Sequence, residues 1–172
     1  MRMGPAVRKL ALTAHVSASV GWFGAVLAFL ALAAIGLRSD DPATVRGAYL
    51  VMEPAARMVL VPLAFASLLT GIIQSLGTSW GLFRHYWVLF KLALTMLATL
   101  VLLTYMETFR AMARAAADPA ADLAAVRSAS PALHAVLALL VLSTTTVLAV
   151  YKPRGMTPYG WRKTNAEERA TG

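Results

Sequence analysis

The chain has 172 residues, 59% of them hydrophobic and 14% charged, with a formal net charge of +8 and no cysteine. It is too apolar for an ordinary soluble domain. The absence of cysteine excludes disulfides, thiolate metal sites, iron–sulfur clusters and cysteine nucleophiles.

Four apolar runs occupy residues 10–37, 54–76, 85–107 and 132–151. Each is near or above the ~20 residues that, at ~1.5 Å per residue, cross a hydrocarbon core of about 30 Å. In lipid every backbone amide must be satisfied within the chain, so spans of this length are helices. The expected fold is all-α, a four-helix transmembrane bundle.

The first run far exceeds the roughly 7–15-residue apolar core of a cleaved signal, so it reads as a retained, tilted helix. It ends at Ser39-Asp40-Asp41-Pro42, a polar cluster closed by a proline. Residues 43–53 suit a short interfacial helix. Glu53-Pro54 then opens the second span, with proline near its first helical position, and Pro62 should kink that span. The tight loop Gly77-Thr78-Ser79-Trp80-Gly81 makes the second and third helices antiparallel neighbours. The third helix should run past the membrane to Ala117, where Asp118-Pro119 stops it. Residues 118–131, rich in Ala, Asp and Ser, read as a mobile loop, and Ser130-Pro131 is a start signal for the fourth helix. Neither an internal repeat nor a soluble domain is evident. The chain reads as one transmembrane domain ending in a basic tail over 152–172.

Charge is unevenly placed. Arg2, Arg8, Lys9, Arg84, Lys152, Arg154, Arg162, Lys163 and Arg169 flank one side, against only Glu167 and Glu168. On the other side Arg38, Arg46, Arg57, Arg110, Arg114 and Arg127 are balanced by Asp40, Asp41, Glu53, Glu107, Asp118 and Asp122. The basic excess marks the cytoplasmic side, so a multi-pass cell-membrane protein with both termini inside is expected. A basic tail beside anionic lipid accounts for the charge, and nucleic acid is not needed as a partner. Trp80, Tyr86, Trp87, Tyr151, Tyr159 and Trp161 gather near the same interface, as an aromatic belt does.

The informative residues are polar ones inside the spans. His15 lies six residues beyond Lys9, roughly 9 Å deep at ~1.5 Å per residue. Lys91 enters to a similar depth from His85. Thr70, Gln74 and Thr144 to Thr146 reach the same layer, with Ser17 and Ser19 beside His15. Intramembrane ionisable groups are functional candidates by default. The plainer readings are that Lys91 snorkels to the headgroups and that the hydroxyls bond back to their own helices or glue neighbouring ones. On the outer side Met52, Glu53, Tyr105, Met106, Glu107 and His134 converge at one depth. Carboxylates, an imidazole and thioethers could hold a divalent ion or copper. The plainer alternative is a Glu53–Arg57 pair and solvated helix ends. His15 and His134 are on the order of 15–20 Å apart in a core of about 30 Å, so they cannot share one ion or clamp one haem. No zinc-hydrolase pattern, Ser/His/Asp set, phosphate loop or dinucleotide fingerprint is present, and an enzyme is not expected.

The stretch His15-Val-Ser-Ala-Ser-Val-Gly-Trp22-Phe-Gly24 resembles the first-helix signature, H-x6-W-x-G, of the copper resistance D family. Leu76-Gly-Thr-Ser-Trp80-Gly-Leu-Phe-Arg-His85-Tyr-Trp87 and Tyr151-Lys-Pro-Arg-Gly-Met-Thr-Pro-Tyr-Gly160 resemble a family of uncharacterised small four-helix integral membrane proteins. The second resemblance implies a fold without an activity. The first implies copper handling, with His15 as ligand. Three readings stay open. In the first, copper or haem is held at His15, with Trp22 and Lys91 completing a cofactor site and Glu53, Met106, Glu107 and His134 forming an outer metal site. The second is a small transport or permeation bundle with a polar cavity. The third is a structural or assembly subunit. A homo-oligomer is compatible with each.

Overall fold

The computed structural model describes residues 3–78 and 80–171, with side chains as far as residue 169; Arg2 and Ser79, named above, lie outside the described residues. The first helix, α1, spans Pro5–Arg38 and so begins before the apolar run. Pro5 sits in the first turn, where its missing N–H would have had no partner. It carries Arg8 and Lys9 into the helix.

The second helix starts at Pro42, twelve residues before Pro54. Asp41 decides this. Its carboxylate accepts from the Thr44 amide at 2.9 Å, the Ala43 amide at 3.3 Å and the Thr44 hydroxyl at 2.5 Å. The Thr44 hydroxyl, then the two amides, hold that carboxyl below its ordinary value. Pro42 is thus a helix starter as well as the end of the preceding turn. From it α2 runs Pro42–Ala55, a π turn follows at Ala56–Leu60, and α3 covers Val61–Leu76. The expected break at Pro62 takes the form of this π turn ahead of it. Pro62 has no N–H for the Met58 carbonyl, and the wider turn absorbs the mismatch, with the Val61 amide bonding the Ala56 carbonyl.

Helix α4 spans Tyr86–Ala117, the single turn α5 Leu123–Val126, and α6 Ser130–Tyr151. Four stretches, Pro5–Arg38, Pro42–Leu76, Tyr86–Ala117 and Leu123–Tyr151, are long and apolar enough to cross a membrane. The chain is accordingly an integral membrane protein with four candidate spans. Exposed Leu10, Phe90 and Val150 show the outward apolar surface that lipid covers.

Helix α1 packs on α2, α3 and α6, while α4 packs on α2, α3 and α6. The core is concentrated away from the termini. Trp22, Val26, Phe29 and Ala33 of α1 recur every three or four residues and meet Val45, Tyr49 and Met52 of α2 and Tyr105, Met106 and Phe109 of α4. Phe29 and Phe109 meet edge-on at 5.7 Å, as do Tyr105 and Phe109 at 4.9 Å. A methyl group on Gly36 would lie 2.9 Å from the Tyr49 ring, so the glycine permits the α1–α2 approach.

The segment after α4, expected to be mobile, is tied down. Arg46 donates to the carbonyls of Ala116, Asp118 and Ala121 at 3.2, 2.7 and 2.5 Å. Arg127 reaches back to the carbonyls of Leu37 and Ser39 at 3.2 and 2.7 Å. The Tyr49 hydroxyl donates to the Ser128 carbonyl and accepts from the Ser128 amide. Two arginines therefore satisfy helix ends that carry too few local donors.

At the opposite end the tail folds back. Both termini share this end, since the Met3 amide bonds the Gly77 carbonyl at 3.1 Å and the Lys152 ammonium lies 5.3 Å over Trp80. A last helix, α7, covers Pro158–Thr171. Thr157 starts it by accepting from the Gly160 amide at 3.0 Å while donating to the Phe83 carbonyl at 2.6 Å.

Replacing Arg46 with alanine leaves three carbonyls to find water. The expected loss is about 2–3 kcal/mol, given roughly 1.5–3 kcal/mol for hydrogen bonds to a charged group. Thermal unfolding in detergent checks the loss, and hydrogen exchange over 118–129 should rise with it.

Candidate functional site

Helix α1 presents His15 and Ser19, one turn apart, to α3. His15 Nδ1 lies 3.1 Å from the Thr70 hydroxyl and Ser19 Oγ lies 2.9 Å from Ser67 Oγ. The Thr70 hydroxyl also donates to its own helix, to the Ala66 carbonyl at 2.5 Å. Gly71 makes room for the imidazole, because a Cβ there would sit 3.0 Å from His15 Cε1. The result is a narrow polar seam between two helices, built on small residues that let the backbones approach. Ser17 faces outward and does not join it.

Lys91 of α4 is half-buried. It makes no ion pair among the described residues. Near the same end three polar atoms are buried without a hydrogen-bond partner among the described residues: Gln74 Oε1 of α3, Thr78 Oγ1 just after it, and Trp87 Nε1, one turn before Lys91. Gln74 and Thr78 are four residues apart, as are Trp87 and Lys91, and α3 packs on α4. The α6 threonines stand aside. Thr144 bonds the Leu140 carbonyl, and Thr145 and Thr146 both bond that of Leu142, so all three hydroxyls serve their own helix.

The outer set is divided. Glu53 pairs with Arg57 one turn on, and Glu107 pairs with Arg110. Arg110 also approaches Glu53 at 3.9 Å, so the two carboxylates share a shallow groove with an arginine between them. Met52 and Met106 are 1% and 8% exposed within the apolar core. His134 Nδ1 lies 2.8 Å from the Ser130 carbonyl, and its ring stacks on Tyr105 with centroids 4.1 Å apart. Among the described residues no three His, Asp or Glu side chains are placed to hold one metal ion.

Nothing among the described residues links the chain to copper or haem. The His15 ring bonds Thr70 and lies against Gly71. Trp22 is 2% exposed and belongs to the core. Sequence reasoning placed Gln74 in this layer but overlooked Thr78 and Trp87. Their four-residue spacing to Gln74 and Lys91 was the available signal. No family model, curated protein or solved structure matches the chain, so no family is identified.

Two glycines separate seam from surface. Gly71→Ala pushes on the His15 ring and should destabilise by about 1–3 kcal/mol, as overpacking does. Gly24→Ala, where a Cβ meets nothing within 4 Å, should be neutral or gain about 0.5–1 kcal/mol in helix propensity. Melting temperatures of the two purified variants check the contrast.

Proposed function

We propose that this chain is a small membrane permeation protein whose polar layer near the basic end binds a small solute bearing negative charge. One observation carries the reading: Lys91 lies within a candidate span without an acidic partner among the described residues. An unpaired lysine costs about 2.5–3.5 kcal/mol at the centre of a span on insertion scales and less nearer its end, and intramembrane lysines mark solute pathways. Lys91 offers three N–H donors and Trp87 one, while the Gln74 carbonyl accepts and the Thr78 hydroxyl can do either. A layer with surplus donors and a cation complements an anion. The proposal assigns the chain no catalytic step. It orients the basic end, with both termini, toward the cytoplasm, because nine basic residues there face only two acids.

A second reading has its own support. Ser19 with Ser67, and His15 with Thr70, satisfy each other across the seam, as polar residues do where they only fasten helices. In that case the layer belongs to a structural or assembly subunit.

Proteoliposomes loaded with chloride, acetate or phosphate separate the two. On the permeation reading, Lys91→Met keeps the stem, removes the charge and lowers efflux of at least one anion by about tenfold, the equivalent of one charge-assisted hydrogen bond. Arg114→Gln, at the other end, leaves efflux unchanged. Efflux no faster than from protein-free vesicles for all three anions overturns the proposal.

A further inference from the structure

Helix α7 does more than trail from the bundle. Besides the Thr157 anchor, Arg84 pairs with Glu167 at 2.5 Å, and the Tyr86 amide bonds the Gly155 carbonyl at 3.3 Å. Gly160 lies so close to the 77–85 loop that a Cβ would fall 2.3 Å from the Arg84 carbonyl oxygen. These contacts fix α7 against the start of α4 and leave a groove of about 390 Å³ between them. Its walls are Tyr86, Met156, Thr157, Pro158, Trp161 and Arg162.

The height of this groove is set by α4. Tyr86 is the first residue of a candidate span and is 56% exposed, and Phe90, one turn deeper on the same face, is 64% exposed. Trp161 is 63% exposed across the groove. An amphipathic aromatic pair at a span's entrance belongs at the headgroup level, and an exposed phenylalanine below it belongs among acyl chains. Arg162 adds a guanidinium that makes no ion pair or hydrogen bond among the described residues. Lys152, Arg154, Lys163 and Arg169 are exposed in the same segment, against two acids, Glu168 and the Glu167 that pairs with Arg84.

We propose that the groove between α4 and α7 is a binding site for one anionic phospholipid. The Arg162 guanidinium and the rims of Tyr86 and Trp161 hold the phosphate-bearing headgroup, and an acyl chain descends along the Tyr86–Phe90 face of α4. Guanidinium suits this occupant because its planar donors match phosphate oxygens. The charge selects an anionic headgroup over a zwitterionic one, whose own ammonium offsets the phosphate.

Native mass spectrometry of the full chain tests this, after exchange from vesicles of phosphatidylcholine and phosphatidylglycerol at 7:3 into detergent. The wild-type chain retains one phosphatidylglycerol in preference to phosphatidylcholine. Arg162→Gln lowers that retention about fivefold, the contribution of one basic residue at an anionic surface. Arg114→Gln, which removes the same charge at the other end, has no effect. Equal retention of the two lipids overturns the site, as does unchanged retention in Arg162→Gln. A matching loss in both variants also overturns it, since it reports overall charge instead of a groove.

Discussion

A polar group within hydrocarbon has to find its partner inside the protein, because lipid supplies none. This constraint explains most of the fold. It makes the spans helical, and it bends the Thr144, Thr145 and Thr146 hydroxyls back onto their own backbone. It also places His15 opposite Thr70 and Ser19 opposite Ser67, which holds α1 on α3. At the end away from the termini the same demand is met by arginine. Arg46 and Arg127 cap carbonyls that the helix ends cannot satisfy, and Arg110 lies between Glu53 and Glu107.

Set against that pattern, the basic end is the exception. Gln74, Thr78 and Trp87 bury polar atoms without a hydrogen-bond partner among the described residues, and half-buried Lys91 makes no ion pair there. The apolar core is thick near Tyr49, Met52 and Phe109 and gives way to this layer toward the termini. An apolar half and a polar half follow from one sequence property. Large apolar side chains repeat along one face of α1 from Trp22 onward, whereas before Trp22 that face carries His15, Ala18 and Ser19. The loop over the polar half is itself held, by Met3 on Gly77, Lys152 over Trp80 and α7 on Arg84.

The four spans were legible because hydropathy and length leave lipid-crossing chain few alternatives. Their ends were less so. Pro42 reads equally as a stop or a start until the Asp41 cap is recognised, and Pro54 then falls inside a helix that continues through it. Helix α7 was hidden by its polar composition, although Thr157-Pro158 is a serviceable N-terminal signal. Depth counting put His15 and Thr70 at one level but could not rotate the helices, so Ser17 and the α6 threonines were counted with them. Glu53 and Glu107 do reach one groove as their positions implied, yet the sequence alone could not say that Arg110 would occupy the space between them. His134 turned instead toward Tyr105. Rotation about a helix axis, which decides partners, is set by packing that no single run of residues reveals.

Water at Lys91 is the most direct point of contact between this account and experiment. The natural chain lacks cysteine, so Lys91→Cys and the neighbouring, lipid-facing Phe90→Cys each carry a single thiol. The thiolate is the nucleophile that attacks a thiosulfonate, expelling a sulfinate, and it forms only in contact with water. The account predicts that position 91 reacts with a charged, membrane-impermeant thiosulfonate at least about tenfold faster than position 90. Equal and negligible reaction at both positions would contradict it, leaving Lys91 a packed residue in a dry bundle.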